Sequence, residues 1–190
     1  FPTAGGATGL VTLLAIDGYA LQIYGDFSGY SDIAMGIALL LGFKFENNFE
    51  QPSRAASLQE FWRRWHISLS SWLRDYLYVS LGGSRRGRFL TYRNLLITML
   101  LGGLWHGAGW TFLAWGALHG VALVVARCVR ERWGSTTGLP GMTRVLGTLL
   151  TFHLVCLGWR LLRAVDLRRP GDTLAALGGP WRSPPSLDWG

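Results

Sequence analysis

Apolar runs alternate with short polar segments along the chain. One run, from Asn94 to Ala126, holds 33 residues without a single Asp, Glu, Lys or Arg. A membrane span needs about 20 apolar residues, so this run is too long for one upright span and too short for two. Breaks at Gly102-Gly103 and at Gly107-Ala108-Gly109 predict a short or re-entrant helix to about Trp105. A full span is then predicted from about Ala108 to Ala126.

Three further helices follow from the same pattern. Two candidate spans run from about Gly9 to Gly25 and from about Tyr30 to Phe43, and a last helix runs from about Thr143 to Ala164. The polar, glycine-containing stretch Tyr24–Asp32 separates the first two. Irregular backbone at membrane depth must be covered by protein or by a watery cavity. We therefore predict a bent, interior element there, with Asp26 and Asp32 capping the broken ends or orienting a histidine.

A different pattern begins after the polar loop that follows the second span. Ser57 and Glu60 have the spacing of a capping box, and apolar residues then recur every three or four positions until Gly82-Gly83. This predicts an amphipathic helix over about 57–82, lying at the membrane interface. Its polar face carries Gln59, Arg63, His66, Ser70 and Arg74.

Together these elements predict an all-α, multi-pass integral membrane protein with broken or re-entrant helices. The chain begins at Phe1 without an initiator methionine, so we expect it to be a piece of a longer protein. We predict that residues 1–165 form a partial transmembrane core. Residues 166–190, rich in proline and tryptophan, would form a loop or linker to a missing C-terminal part.

The charge distribution supports a membrane location. The formal net charge is +7, and arginines cluster between the apolar runs, around Arg85–Arg93, Arg127–Arg132 and Arg160–Arg169. Under the positive-inside rule, the loop Gly82–Arg93 is predicted to be cytoplasmic. No basic stripe falls on a soluble helix or sheet, which argues against a nucleic-acid partner. The two cysteines form no metal-binding spacing and are predicted to be buried small residues.

His106 is the first candidate for chemistry, because it lies within the uncharged run. Ionisable side chains at membrane depth are costly and often functional. A neutral imidazole could take a proton from a hydroxyl that attacks an acyl carbonyl. The alternative is a buried histidine that only bonds a backbone carbonyl between helices.

The other histidines carry weaker signals. His66 could be a solvated residue on a polar face, or part of a basic, hydroxyl-bearing face that holds an anionic donor group such as a pantetheine phosphate. His119 and His153 have no helical metal-ligand spacing and are interpreted as packing or interhelical hydrogen-bonding residues.

Four segments resemble one known family. They are Asp26–Asp32 (DFSGYSD), Glu60–Ser70 (EFWRRWHISLS), Arg74–Tyr78 (RDYLY) and Gly103–Gly107 (GLWHG). In this order and over roughly residues 24–127, they are similar to the membrane-bound O-acyltransferase (MBOAT) family, especially its alginate-type bacterial branch. The resemblance implies a multi-pass helical fold with a central tunnel. It also implies that His106 is the catalytic base near the tunnel constriction and His66 the second catalytic histidine.

The resemblance further implies transfer of an acyl group, here predicted to be acetyl, from a thioester donor toward a hydroxyl. The donor would be an acyl-CoA or an acyl carrier, and no metal or bound cofactor is expected. The acceptor would be an extracellular, alginate-like polysaccharide, reached directly or through an extracytoplasmic acetyltransferase partner. We expect a location among the lipids of the bacterial inner membrane and no activity from this piece alone. Arg63, Trp105 and Asp75 are predicted to assist in binding substrate or donor.

A non-enzymatic membrane transporter, or a scaffold subunit of a polysaccharide export complex, is the alternative. Broken helices and a midplane ionisable group are also features of transporters. A transporter is expected to show an internal repeat, whereas an enzyme is expected to lose acyl transfer when His106 is replaced.

Overall fold

The computed structural model describes residues 9–134 and 141–163, together with residues 175, 177 and 178. Within these residues the secondary structure is helical apart from one isolated β-bridge, so the all-α prediction is confirmed there. The predicted linker 166–190 lies almost entirely outside the described residues. The helices are α1 (Gly9–Leu40), α2 (Leu58–Arg64), α3 (Ile67–Trp72), α4 (Arg88–His106), α5 (Trp110–Trp133) and α6 (Gly141–Arg163), with a 3₁₀ turn at Pro52–Arg54 and a π-helical segment at Leu73–Tyr78.

α1 passes without interruption through the segment where we predicted a bend. Its 32 residues include Gly25 and Gly29, and each glycine in a helix costs only about 1 kcal/mol relative to alanine. Ser28 Oγ lies 3.5 Å from the Gly25 carbonyl oxygen, bonding within the helix. The predicted break was wrong because these glycines weaken the helix without ending it. Asp26 and Asp32 are exposed residues within α1 and do not cap helix ends.

The predicted helix over 57–82 is divided into α2, α3 and the π-helical segment. It begins as predicted, with Ser57 Oγ accepting a hydrogen bond from the Glu60 amide at 3.2 Å. The Glu60 carboxylate accepts from the amide of Ala56 at 2.9 Å, one residue before the position that a capping box predicts. The chain then leaves the helix at Trp65 and turns at His66. A single continuous helix was therefore the wrong prediction.

A distant loop causes this turn. The amide of Glu50 donates to the carbonyl of Arg64 at 2.9 Å, and the amide of Ile67 donates to the carbonyl of Asn48 at 3.0 Å. These backbone groups would bond within the helix if it continued. His66 adopts a left-handed conformation with φ of 47°, which is uncommon for a residue other than glycine and recurs at functional sites.

An aromatic cluster centred on Trp65 holds this turn against the rest of the protein. Its indole stacks on Phe61 with 5.7 Å between ring centroids, and it contacts Phe49 at 4.9 Å and Trp159 at 4.8 Å. Phe27 of α1 also contacts Trp65 at 5.9 Å. The cluster joins α1, the loop before α2, α2 itself and α6, and it packs the polypeptide on both sides of His66.

α4 and α5 form an antiparallel hairpin around the predicted break. α4 ends at His106 and α5 begins at Trp110, within two residues of the predicted boundaries. A Cβ atom added at Gly103 would overlap the Phe112 carbonyl oxygen, and one added at Gly116 would overlap that of Met99. Small residues therefore allow the two backbones to approach closely, as at interfaces between membrane helices.

The hairpin places one basic cluster at a single end of the fold. Glu131 near the end of α5 accepts from Arg127 at 2.6 Å and from Tyr92 of α4 at 2.9 Å, and it lies 3.4 Å from Arg88. The start of α4 therefore lies beside the end of α5. By the positive-inside rule this end faces the cytoplasm. His106 lies at the other end of α4, about 27 Å away along the axis.

Two helices, α5 and α6, are long and apolar enough to cross a membrane. α6 begins two residues before the predicted Thr143 and ends one residue before the predicted Ala164. A multi-pass arrangement with further spans stays a prediction. Cys156 in α6 is buried as predicted, whereas Cys128 is exposed on α5, so the prediction of a buried residue was wrong there.

Candidate active site

His66 is held in place by contacts on both sides of its ring. Phe27 packs against it edge-on, with 4.8 Å between ring centroids. On the other side, His66 Nδ1 lies 3.4 Å from the Asn48 side-chain oxygen. That oxygen also accepts hydrogen bonds from the Ser68 amide at 3.2 Å and the Ser68 hydroxyl at 2.8 Å. Asn48 thus caps the start of α3 and positions the imidazole at once.

These contacts fix the tautomer of His66. The Ser68 amide can only donate, so the Asn48 atom that faces it is the acceptor oxygen. The proton of a neutral His66 is therefore on Nδ1, and Nε2 keeps its lone pair. The sequence analysis missed Asn48, because this residue lies 18 positions before the histidine that it positions.

His106 ends α4 and is exposed at the turn into α5. Its imidazole lies 5.1 Å from the Trp115 ring and 5.2 Å from the Trp105 ring, both measured between centroids and both edge-on. Gly107 follows it, and a Cβ there would overlap the Phe112 ring. The glycine-rich break allows the end of α4 to pack tightly under α5.

Both histidines line one cavity of about 430 Å³, which we call the histidine cavity. The fold therefore unites two residues that lie 40 positions apart in the sequence. Aromatic side chains form most of the wall and leave few polar groups besides the two imidazoles. The other lining residues are Tyr19, Ile23, Phe27, Trp62, Trp65, Leu69, Trp115, Trp159, Leu162 and Arg163.

His119 lies behind this wall. It is 1% exposed, and neither ring nitrogen has a hydrogen-bond partner among the described residues. Its ring is 4.7 Å from Trp115 and 5.4 Å from Trp62, both of which line the cavity. A Cβ at Gly158 of α6 would come within 2.5 Å of His119 Nε2. The i, i+4 spacing of Trp115 and His119 was the sequence signal that could have placed His119 beside the cavity.

The three assisting residues are not brought into the histidine cavity. Arg63 lines a neighbouring pocket. Trp105 is 62% exposed and contacts His106 from outside the cavity wall. Asp75, in the π-helical segment, is exposed and pairs with its neighbour Arg74 at 2.7 Å. Within the described part of the chain, no three His, Cys, Asp or Glu side chains meet in a way that could hold a metal ion.

A sequence model of the membrane-bound O-acyltransferase family, MBOAT, matches residues 9–159. That match covers every helix described above except the last turn of α6. The chain belongs to the membrane-bound O-acyltransferase family. The resemblance drawn from the four sequence segments is thereby confirmed.

Individual relatives in this family are similar over most of the chain. A probable alginate O-acetylase of Azotobacter vinelandii is 56% identical over 149 residues, which cover 78% of this chain and 29% of the relative. A peptidoglycan O-acetyltransferase of Helicobacter pylori is 44% identical, covering 85% and 30%. A teichoic acid D-alanyltransferase of Streptococcus thermophilus is 32% identical, covering 82% and 42%. The chain therefore spans less than half the length of these MBOAT relatives.

The environment of His66 in this MBOAT chain predicts a pH effect on stability. Burial, and to a lesser degree repulsion from His106, lower the pKa of His66 from 6.5 to about 4. The unfolded chain then binds the proton more readily, so the unfolding free energy should fall as the pH drops from about 6.5 towards 4. Melting temperatures of the protein in detergent, at pH values of about 7.5, 5.5 and 4.5, measure this loss.

A His66→Asn variant provides the comparison, because asparagine tolerates the left-handed conformation of this position. Its melting temperature should fall less between pH 6.5 and pH 4 than that of the wild type. Equal falls in the two proteins would show that other groups cause the acid sensitivity and would contradict the assignment to His66.

Proposed function

We propose that the native protein is a membrane O-acyltransferase. It transfers an acyl group, for which we propose acetyl, from a thioester donor to a hydroxyl of a cell-surface polysaccharide, directly or through an extracytoplasmic acetyltransferase. The observation that carries this proposal is the pair of imidazoles, His66 and His106, in one aromatic-walled cavity of an MBOAT chain. The three relatives named above support it, since each name describes acyl transfer to a polymer of the cell surface.

His106 acts as the general base in this proposal. Its neutral imidazole takes the proton of the acceptor hydroxyl while the oxygen attacks the thioester carbonyl. The tetrahedral intermediate collapses, the carbon–sulfur bond breaks, and the imidazolium returns its proton to the departing thiolate. The products are an ester and a free thiol, so protons and electrons balance without a metal or a redox partner.

His66 assists from across the cavity. Because Nδ1 carries the proton toward Asn48, Nε2 can accept a hydrogen bond from the incoming hydroxyl and orient it. Its pKa of about 4 keeps this nitrogen unprotonated at neutral pH. The aromatic walls exclude water, which protects the thioester from hydrolysis. We place the protein in the bacterial inner membrane, with its basic end in the cytoplasm.

Deletion of the gene in its native host, followed by complementation, tests this function. Ester-linked acetate on isolated surface polysaccharides is quantified by mass spectrometry, which also identifies the acylated polymer. We expect the acetate to disappear on deletion, to return with the wild-type gene, and the amount of polymer to stay unchanged. A fall in polymer export with unchanged acetylation of the remaining polymer would contradict the proposal and favour the transporter or scaffold.

A further inference from the structure

A second pocket, of about 320 Å³, adjoins the histidine cavity and is rich in arginine; we call it the arginine pocket. Its walls come from α2, α3, the π-helical segment, α4 and α5. Four arginines and two serine hydroxyls line it beside apolar residues of α4. These polar residues are Arg63, Ser70, Ser71, Arg74, Arg127 and Arg130.

The arginines are only partly neutralised by their neighbours. Arg127 pairs with Glu131 and Arg74 with Asp75. Arg130 donates to the neutral side-chain oxygen of Gln59 at 2.8 Å, which leaves its charge uncompensated there. Arg63 makes no hydrogen bond or ion pair with any residue that the structure describes. No carboxylate lines the pocket, so two of its four positive charges lack a counter-charge.

This donor set suits a phosphate group. Guanidinium groups bind phosphate through paired, charge-assisted hydrogen bonds, and serine hydroxyls can supply further donors. A carboxylate ligand would use the same groups. The location decides between them, because the pocket lies toward the basic end of the α4–α5 hairpin. By the positive-inside rule this is the cytoplasmic end, where phosphorylated acyl donors are made.

Trp62 connects the two cavities. Its side chain lines both the arginine pocket and the histidine cavity. Along α4, the pocket is lined at Thr98 and Met99, and His106 follows seven residues after Met99, about 10 Å further along the axis. A ligand with its anion among the arginines therefore needs an arm of at least this reach to present a reacting group to His106.

We propose that the arginine pocket binds the phosphate of a phosphopantetheine thioester, whose acyl end passes Trp62 into the histidine cavity. This proposal rests on the proposed acyl transfer and adds the site of the donor's phosphate. The phosphate can belong to coenzyme A or to a carrier protein, since both present the same phosphopantetheine arm. Arg63 and Arg130 are its principal ligands, because neither is paired with a carboxylate.

A comparison of two donors tests the proposal in protein purified from the native host. Acetyl-phosphopantetheine and acetyl-pantetheine differ only in the phosphate. Wild-type protein should have a KM for the phosphorylated donor at least about tenfold lower, with similar kcat values. Arg63→Gln and Arg130→Gln should each raise KM for the phosphorylated donor about tenfold and leave KM for acetyl-pantetheine within about twofold. Arg132→Gln is the matched control, because Arg132 is exposed near the end of α5 and does not line the pocket.

The possible outcomes separate this proposal from the proposed function. Equal KM increases for both donors, or none, with acyl transfer intact, would overturn the arginine pocket as a phosphate site. No acyl transfer from any thioester to any hydroxyl acceptor would overturn the function itself. Acetyl-coenzyme A and an acetylated carrier protein, assayed in parallel, identify the source of the phosphate. Arg63 is exposed and unpaired, so its variant keeps the test valid if Arg130→Gln fails to fold.

Discussion

Replacing His106 by alanine is expected to lower acyl transfer by about 10²–10⁴-fold, the usual contribution of a general base. The alanine variant removes the only proposed proton acceptor at this end of α4 and leaves the backbone unchanged. Ester-linked acetate on the surface polysaccharide should fall to the level of the gene deletion. The amount of protein in the membrane, measured by immunoblot, should stay near that of the wild type.

His153→Ala is the matched control for this variant. His153 is exposed on α6, and its Nδ1 lies 2.8 Å from the carbonyl oxygen of Leu149 in the same helix. Its loss should leave acetylation unchanged. Retention of acetate in the His106→Ala strain would return His106 to a packing role and remove the base from the mechanism.

Gly116→Ala is expected to produce the largest loss of stability in the described fold. The new Cβ would overlap the Met99 carbonyl oxygen and approach Leu100 Cα to 2.9 Å. Backbone atoms cannot rotate away as a side chain can, so α4 and α5 must separate. Insertion of excess volume into a packed contact costs about 1–3 kcal/mol, and we expect at least the upper end here. The melting temperature in detergent and the amount of protein in the membrane should both fall.

Gly36→Ala provides the opposite expectation from the same substitution. Gly36 lies within α1, and a Cβ there meets no atom within 4 Å. Alanine favours helix over glycine by about 1 kcal/mol, so stability should stay equal or rise. Similar melting temperatures for the two variants would contradict the close approach of α4 and α5 at Gly116.

Local sequence signals were sufficient where neighbouring residues determine the structure. Ser57 caps α2 through the Glu60 amide, and glycines end α4 just after His106. α6 required only its apolar length, since a run of that length is helical in a membrane. Each of these predictions was correct to within about two residues. The family, too, was identified from short segments, because their order and spacing are specific.

Distant contacts account for the errors. The turn at His66 depends on Asn48 and Glu50, whose backbone groups bond to residues on either side of it. A helical periodicity cannot reveal a partner that lies 16 to 20 positions away. The histidine cavity could be expected only from the family resemblance, because the packing of α1, α2, α5 and α6 around Trp65 brings His66 near His106. The arginine pocket likewise combines residues from five segments.

The most direct test of acyl transfer at the histidine cavity is a reconstituted assay. Protein purified from the native host is placed in liposomes with a radiolabelled acetyl thioester and a hydroxyl-bearing oligosaccharide, and the acetyl ester formed is measured over time. We expect steady ester formation by the wild type and a rate at least about 100-fold lower for His106→Gln, which retains a polar side chain of similar reach. Equal rates for the two proteins would contradict the assignment of His106 as the base.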